Sequence, residues 1–334
     1  MAVNLKGRSF LSIMDFTPQE VRYLLDLAHD LKSKKRAGIH NEGLAGKNIV
    51  LLFEKSSTRT RCAFEVAALD EGAHVTFLDA NSSQMGNKES LEDTAKVLGR
   101  YYDGIEYRGY DQEIVADLAK YSGVPVWNGL TDVDHPTQSL ADIMTIEEYV
   151  QKPLNKIKLV FCGDTRNNVA YCLMYICAKL GIDYVGFGPR ELKAAPEVVK
   201  RCEEAAKRTS AGATTATFTL TDDPAALIGA DAIYTDIWAS MGEEAKIPER
   251  VKLLAPFRVT PELMAKTKNP ECIFLHCLPS FHDFNTTMAK KQMDLGYDIR
   301  EVTDEVFQSD NSRVFDQAEN RMHTIKAVML ATMG

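Results

Sequence analysis

The sequence lacks any run of apolar residues long enough to cross a membrane, which takes about 18 consecutive residues. Its beginning, MAVNLKGRSFLSIMDF, also lacks the apolar core and small-residue cleavage site of a secretion signal. It has no Cys-x-x-Cys pair, and its seven cysteines are scattered along 334 residues. A chain of this size does not need disulfides to hold its core. We therefore expect reduced thiols, a cytoplasmic location and no membrane partner.

Positive charge is scarce too. The 39 Lys and Arg residues against 47 Asp and Glu give a net charge of −8, whereas nucleic-acid binding requires a basic face. The Gly-x-x-x-x-Gly-Lys-Ser/Thr pattern of nucleoside triphosphate binding is absent.

The pair His276 and Cys277 could suggest a thiol nucleophile or zinc. Adjacent side chains on a strand point to opposite faces, however, and no metal-ligand spacing recurs. We expect no nucleic acid, no metal and no cofactor.

Apolar strand-like runs alternate with helical periodicity in two blocks, separated by the polar segment QKPLNK at 151–156. In the first block, strands are predicted at 49–53, 75–78, 105–107 and 124–127, with helices near 18–36, 60–71, 89–99, 111–121 and 136–150. In the second block, strands are predicted at 157–161, 184–187, 215–220, 232–237 and 273–275, with helices near 167–180, 196–208, 224–229, 247–254 and 314–332. This alternation predicts an α/β protein with two doubly wound parallel-sheet domains joined by interdomain helices, at 1–150 and 151–315, and ligands at the carboxyl ends of the strands.

The segment FEKSSTRTRC at 53–62 places hydroxyls and guanidinium groups where the first strand ends and a helix begins. The first turn of a helix has unpaired N–H groups and the positive end of the dipole, so it favours an anion. Ser57 or Thr58 could serve only as a helix cap. A cap does not explain Arg59 and Arg61 in the first turn, where cations oppose the dipole. The pattern predicts a bound anion, with Arg59 gripping its oxygens.

Ser-Thr-Arg-Thr followed by RCAFEVAA resembles the carbamoyl-phosphate loop of the aspartate/ornithine carbamoyltransferase family. Further matching segments are SSQMGNKES, HPTQSLAD, DIWASMG, HCLPSFHD and FDQAENRMHTIKA. Together these motifs cover almost the whole chain, and they are closest to those of the ornithine carbamoyltransferases. The resemblance implies transfer of a carbamoyl group from carbamoyl phosphate to the δ-amine of L-ornithine, giving L-citrulline and phosphate in arginine metabolism. Because carbamoyl phosphate is a reactive mixed anhydride, the protein has to position two substrates and stabilise developing charge.

The resemblance also assigns roles to individual residues. It implies that Arg59, Arg108, His135, Gln138, Asp236, Cys277 and Arg321 are catalytic. It implies that carbamoyl phosphate is bound by Ser57, Thr58, Arg59, Thr60, Gln84, Arg108, His135, Pro136, Thr137, Gln138, Cys277, Leu278 and Arg321. It implies that ornithine is bound by Asn168, Asp236, Ser240 and Met241, with Asp236 receiving the α-ammonium group. The group that takes the proton from the δ-amine stays open between Cys277, Asp236 and the substrate phosphate.

The assembly expected from the resemblance is a homotrimer with shared active sites, in which the loop of Gln84 reaches a neighbouring subunit, and which can assemble further. The final helix, 316–334, is expected to pack back onto the first domain.

Three alternatives remain: a transferase using putrescine, one using aspartate or acetylornithine, and a non-catalytic homologue that binds carbamoyl phosphate. Tyr171-Cys172 and Ser280 depart from the residues expected in the family; neither change removes a chemical role.

Overall fold

The computed structural model describes residues 3–79, 89–209, 215–239 and 242–334. The chain divides into two compact units. One unit is Met1–Met144 together with Ala318–Gly334, and the other is Thr145–Gln317. Within the described ranges, no helix is both long and apolar enough to span a bilayer.

The first unit is built on a parallel sheet of four strands in its described part, in the order β2-β1-β3-β4. The strands are β1 (Asn48–Phe53), β2 (His74–Asp79), β3 (Gly104–Arg108) and β4 (Val126–Leu130). The helices are α1 (Pro18–Arg36), α2 (Thr58–Asp70), α3 (Leu91–Tyr101), α4 (Gln112–Ser122) and α5 (Pro136–Tyr149). Five of the six residues of β1 are buried, as expected for a central parallel strand covered on both faces.

The second unit is built on a parallel sheet with the strand order β7-β6-β5-β8-β9 among the described residues. Its strands are β5 (Lys158–Cys162), β6 (Asp183–Phe187), β7 (Phe218–Thr221), β8 (Ala232–Thr235) and β9 (Ile273–His276). Its helices are α6 (Asn168–Leu180), α7 (Pro196–Thr209), α8 (Ile247–Leu254), α9 (Pro261–Ala265), α10 (Thr287–Asp294) and α11 (Asp304–Phe307). The last helix of the chain, α12 (Val314–Met333), has most of its length in the first unit. Trp127 of β4 donates to the Thr332 hydroxyl at 3.0 Å, which ties this helix to the sheet.

The predicted α/β class with two parallel sheets is confirmed. Several element boundaries were wrong. The run at 124–127 begins as a strand only at Val126, because Pro125 has no N–H to donate to a ladder. The predicted helix at 224–229 is a single 3-10 turn, Pro224–Leu227, followed by Gly229 at φ 79°. The short helices α9, α10 and α11 were missed, since their apolar periodicity is brief.

Candidate functional site

Each sheet has one place where the direction of strand addition reverses, and ligands of open α/β sheets bind outside the carboxyl ends of the strands at such a point. In the first unit this point lies between β1 and β3; in the second it lies between β5 and β8. The ends of these strands and the segments that leave them carry about half of the predicted site residues.

At the end of β1, Ser57 is the N-cap of α2. Its hydroxyl oxygen accepts from the Thr60 N–H at 3.2 Å. The capping interpretation of this serine is therefore correct, but it leaves the hydroxyl hydrogen of Ser57 able to donate to a ligand. Thr58 is exposed and Arg59 is half-buried on the same turn. Because the positive end of the helix dipole lies at this turn, it is suited to an anion.

The hydroxyl of Thr60 joins two arginines from distant parts of the chain. Arg108, the last residue of β3, donates to it at 3.1 Å. Arg321 of α12 donates to it at 3.0 Å. Thr60 is fully buried, and both guanidinium groups are at most 9% exposed. The structure thus brings together three residues that the sequence motifs predicted separately, and the net charge of the group is positive.

His135 precedes α5 and is buried, as are Pro136, Thr137 and Gln138. Burial lowers the pKa of His135 well below its usual range, and the positive charges of Arg321, Arg108 and Arg59 lower this pKa further. Its imidazole is therefore neutral near pH 7 and can donate from only one ring nitrogen. His135 is therefore a buried residue that feels the positive charge of these arginines.

Gln138 is held by a hydrogen bond from its Nε2 to the Asp142 carboxylate at 2.8 Å. Its carbonyl oxygen, Oε1, is buried and has no hydrogen-bond partner among the described residues. A buried acceptor without a partner is unfavourable unless a ligand satisfies it. The site therefore offers one acceptor beside several cationic donors.

Sequence reasoning missed Glu106, which lies two residues before Arg108 on β3. Its carboxylate is completely buried, and neither oxygen has a hydrogen-bond partner in the part of the chain that is described. Burial raises the pKa of Glu106 well above its usual range, although Arg108 and Arg321 oppose this shift. Gly129 lies close beside it: a Cβ there would be 1.8 Å from Glu106 Oε1, so a larger residue would force the carboxylate to move. A glutamate within a strand gives no sequence signal for this placement.

Arg61, which the sequence reasoning grouped with Arg59, has a different environment. Its Nε donates to Glu65 at 2.8 Å, and its guanidinium lies 3.7 Å from the centroid of the Phe77 ring. These contacts account for its position on the surface of α2. Arg61 thus serves as a natural comparison for Arg59.

In the second unit, Asp236 follows β8 at the switch point. Its Oδ2 accepts from Asn167 Nδ2 at 2.8 Å, and its Oδ1 accepts from Cys277 Sγ at 3.2 Å. Asn167 is the N-cap of α6 and also accepts from the Val169 N–H at 2.6 Å. Its neighbour Asn168, the residue that the sequence motif predicted as an ornithine ligand, is half-buried in the first turn of α6.

The turn after β9 contains Cys277 and Leu278. Leu278 has φ of 57° and a cis peptide bond to Pro279, and its N–H donates to His276 Nδ1 at 2.9 Å. The expectation that His276 and Cys277 point apart is wrong, since possible ligand atoms of these residues and of Asp236 lie within 4.8 Å of one another. Strand alternation does not apply here, because β9 ends at His276.

Three predicted residues, Gln84, Ser240 and Met241, lie outside the described residues.

Both halves of the chain match known protein families. Residues 8–148 match the family model described as "Aspartate/ornithine carbamoyltransferase, carbamoyl-P binding domain". Residues 155–332 match the model described as "Aspartate/ornithine carbamoyltransferase, Asp/Orn binding domain". The two matches cover almost all of the sequence.

Individual relatives agree with these models. A Clostridium perfringens protein named "Ornithine carbamoyltransferase, catabolic" is 65% identical, with 100% of both chains covered. A Staphylococcus epidermidis protein named "Ornithine carbamoyltransferase 1, catabolic" is 55% identical, with 99% of both chains covered. The solved structure of the ornithine carbamoyltransferase from Pyrococcus furiosus aligns with a TM-score of 0.89 and 42% identity, covering 100% of this chain and 99% of that one.

Proposed function

The chain belongs to the aspartate/ornithine carbamoyltransferase family and functions as an ornithine carbamoyltransferase, and we propose how its residues carry out that reaction. The δ-amine of L-ornithine attacks the carbonyl carbon of carbamoyl phosphate. The new C–N bond forms, the C–O bond to the phosphoryl group breaks, and inorganic phosphate leaves with the electron pair. L-Citrulline is the other product, and one proton is released from the amine.

We propose that the first unit binds carbamoyl phosphate, with residues 1–150 and the final helix 316–334 forming this domain. The observation that carries this proposal is the convergence of Arg108 and Arg321 on the Thr60 hydroxyl at the start of α2. The phosphate would lie against the first turn, held by the residues Ser57, Thr58, Arg59, Thr60 and Arg108. Charge-assisted hydrogen bonds of this kind are strongest where water is excluded.

The carbamoyl group would be oriented by His135, Pro136, Thr137, Gln138 and Arg321. Arg321 and the neutral imidazole of His135 donate toward the carbonyl oxygen, where negative charge develops in the transition state. The buried Oε1 of Gln138 accepts from the carbamoyl NH₂. The lowered pKa of His135 supports this role. A neutral imidazole does not need an anion of its own as a partner, so the negative charge in the occupied site is that of the phosphate.

The second unit, residues 151–315, would bind ornithine. Asn167 and the Cys277 thiol orient the Asp236 carboxylate. This carboxylate accepts hydrogen bonds from the α-ammonium group of the substrate. Cys277 and the Leu278 carbonyl contact the reacting amine and the carbamoyl NH₂. Asn168, Ser240 and Met241 are assigned to the amino-acid end by similarity to the family alone.

We propose that the reaction runs toward ornithine and carbamoyl phosphate in the cell, since the relatives at 65% and 55% identity are named catabolic. In this direction, phosphate attacks the carbamoyl carbon of citrulline and ornithine leaves. We also propose a cytoplasmic location, which agrees with seven free thiols.

A homotrimer with shared active sites, in which Gln84 serves a neighbouring copy, is the assembly we propose. Its support in the structure is an apolar stripe on α2 formed by Cys62, Val66 and Leu69, with Leu69 62% exposed. Positions spaced four and three apart share one helix face. Sedimentation should give three times the monomer mass, and Leu69→Lys should shift it toward the monomer; a monomeric native protein would contradict the proposal.

The activity itself is tested with purified protein, carbamoyl phosphate and L-ornithine, by measuring citrulline and phosphate in equal amounts. Asp236→Asn, which keeps the shape but removes the charge, should raise KM for ornithine while leaving binding of carbamoyl phosphate unchanged. If the native protein makes no citrulline while it is folded, the function proposed here is refuted.

A further inference from the structure

The carboxylate of Glu301 is completely buried in the second unit, and one of its oxygens gathers three donors. Oε1 accepts from His276 Nε2 at 3.0 Å, from the Ser280 hydroxyl at 2.7 Å and from the Phe281 N–H at 2.7 Å. All three donors lie between 276 and 281, at the end of β9 and in the turn that follows it. One buried acceptor thus organises the entire turn that carries Cys277 and Leu278.

His276 links Glu301 to Leu278. Its Nδ1 accepts from the Leu278 N–H at 2.9 Å. Nδ1 therefore carries no hydrogen, and Nε2 must carry the hydrogen that is donated to Glu301. The backbone N–H of His276 is held in turn by Gln317 Oε1 at 2.9 Å, and the Gln317 amide donates to the Tyr234 hydroxyl at 3.0 Å. The imidazole is fixed in position and in tautomer.

The conformation that this network holds is one that leucine rarely adopts. Leu278 has φ of 57°, in the left-handed region that favours glycine. A local sequence preference cannot maintain it, so the surrounding contacts must. The other side of the turn is largely apolar: Pro279 and Phe281 border a cavity of about 180 Å³ together with Trp238 and Met288. The polar support for the turn comes from the side of Glu301.

We propose that Glu301 is a positioning residue for the carbamoyl transfer, acting through His276, Ser280 and the Phe281 N–H to aim the Leu278 carbonyl and the Cys277 thiol. This inference rests on the proposed roles of Cys277 and Leu278. Ser280 belongs to the same hydrogen-bond network. Its hydroxyl supplies a third donor to the buried carboxylate of Glu301, and alanine, the residue expected at this position in the family, would not. Ser280 therefore has a structural role in this chain.

The test compares three single variants in the full-length protein: Glu301→Gln, Ser280→Ala and, as a matched control, Glu305→Gln, which removes an exposed carboxylate four residues away. Glutamine keeps the size of the side chain and one acceptor oxygen but removes the charge. We expect Glu301→Gln to lower kcat about tenfold to a hundredfold, the range seen when groups that orient a ligand are changed. KM for ornithine should change less than kcat, because Asn167 still holds the Asp236 carboxylate.

The melting temperature and the histidine ¹⁵N spectrum separate positioning from general destabilisation. The native protein should show the Nε2–H tautomer of His276, and Glu301→Gln should shift the Nε2 resonance, because the acceptor loses its charge, while melting cooperatively. A kcat for Glu301→Gln within about twofold of wild type would overturn the proposal, as would an equal loss in Glu305→Gln or an Nδ1–H tautomer in the native protein.

If Glu301→Gln does not fold, Ser280→Ala decides the question. It removes one donor and leaves the other two, so we expect kcat to fall about fivefold at an unchanged melting temperature; an unchanged kcat would overturn the proposal. Wild-type turnover is measured in the same assay. Absent wild-type turnover refutes the function and the inference together, whereas an active wild type with an equally active Glu301→Gln variant refutes only the inference.

Discussion

Arg321 donates to the hydroxyl of Thr60 at 3.0 Å, although 261 positions separate the two residues in the sequence. Arg108 donates to the same oxygen at 3.1 Å. A single buried hydroxyl therefore fixes two guanidinium groups, and through them it determines where an anion can bind. The contribution of Thr60 to binding should exceed that of a residue which only lies next to the ligand.

Thr60→Val should weaken the binding of carbamoyl phosphate about tenfold or more, because valine has the same shape but cannot accept from either arginine. Valine removes the acceptor that both guanidinium groups share, and a hydrogen bond to a charged group contributes about 1.5–3 kcal/mol. Thr60→Ser restores the hydroxyl and should restore affinity to within a few-fold of wild type. Calorimetric titration with carbamoyl phosphate measures both variants. Equal affinities for valine and serine would mean that the hydroxyl does not organise the arginines.

Arg59→Ala should lower citrulline formation at least about a hundredfold, since charge-assisted contacts to phosphate in a site that excludes water are worth several kcal/mol. Arg61→Ala is the matched control. It removes the same charge from the same helix, but Arg61 is engaged with Glu65 and Phe77. Steady-state assays of the two variants should differ widely in kcat/KM. Similar losses would show that only the total charge of the helix matters.

Asn167→Ala should raise KM for ornithine about tenfold, because Asp236 loses the donor that orients its carboxylate. Asparagine also caps α6, and loss of the cap alone would lower the free energy of unfolding by about 1 kcal/mol. Asn167→Ser separates the two effects, since serine can cap the helix but is too short to reach Asp236. It should keep the stability of the wild type and still bind ornithine poorly. Normal ornithine kinetics in Asn167→Ser would place the role of Asn167 in stability alone.

Stability at acidic pH should depend on His135. The pKa of His135 is lowered well below its usual range in the folded chain, while the unfolded chain takes up a proton there near pH 6.5, so below that pH the unfolded state binds more protons. The free energy of unfolding should therefore fall as pH is lowered from 6.5, by at most about 1.4 kcal/mol per pH unit from this group. His323, whose pKa is lowered to about 4, acts in the same direction.

His135→Gln removes one of these two contributions and leaves the other. Denaturant unfolding at pH 7, 6 and 5 should give a shallower loss of stability in the variant than in the wild type. Parallel curves would show that His135 takes up its proton equally in the folded and unfolded chain.

The sequence predicted the alternating architecture because apolar periodicity and strand–helix order are local properties. It also located the anion-binding turn, since Ser57 to Thr60 are contiguous. It did not predict which residue would hold Arg108 and Arg321, because contacts between distant segments leave no local pattern. The roles of Glu106 and Glu301 were missed for the same reason. Both are glutamates in ordinary sequence surroundings, and only the fold makes them buried. The sequence also did not show that Asn167, beside the predicted Asn168, contacts Asp236, because the start of α6 decides which asparagine caps it.

The most direct test of the whole account is the ratio of kcat/KM for L-ornithine to that for putrescine, aspartate and acetylornithine, each measured with carbamoyl phosphate. Asp236 at the second switch point predicts that ornithine is preferred over aspartate and acetylornithine, since it supplies a negative group for the α-ammonium, which acetylornithine lacks, and repels the additional carboxylate of aspartate. Putrescine should be a poorer substrate because it lacks the α-carboxylate, the group assigned to Asn168, Ser240 and Met241. A higher kcat/KM for any of the other three amines would contradict it.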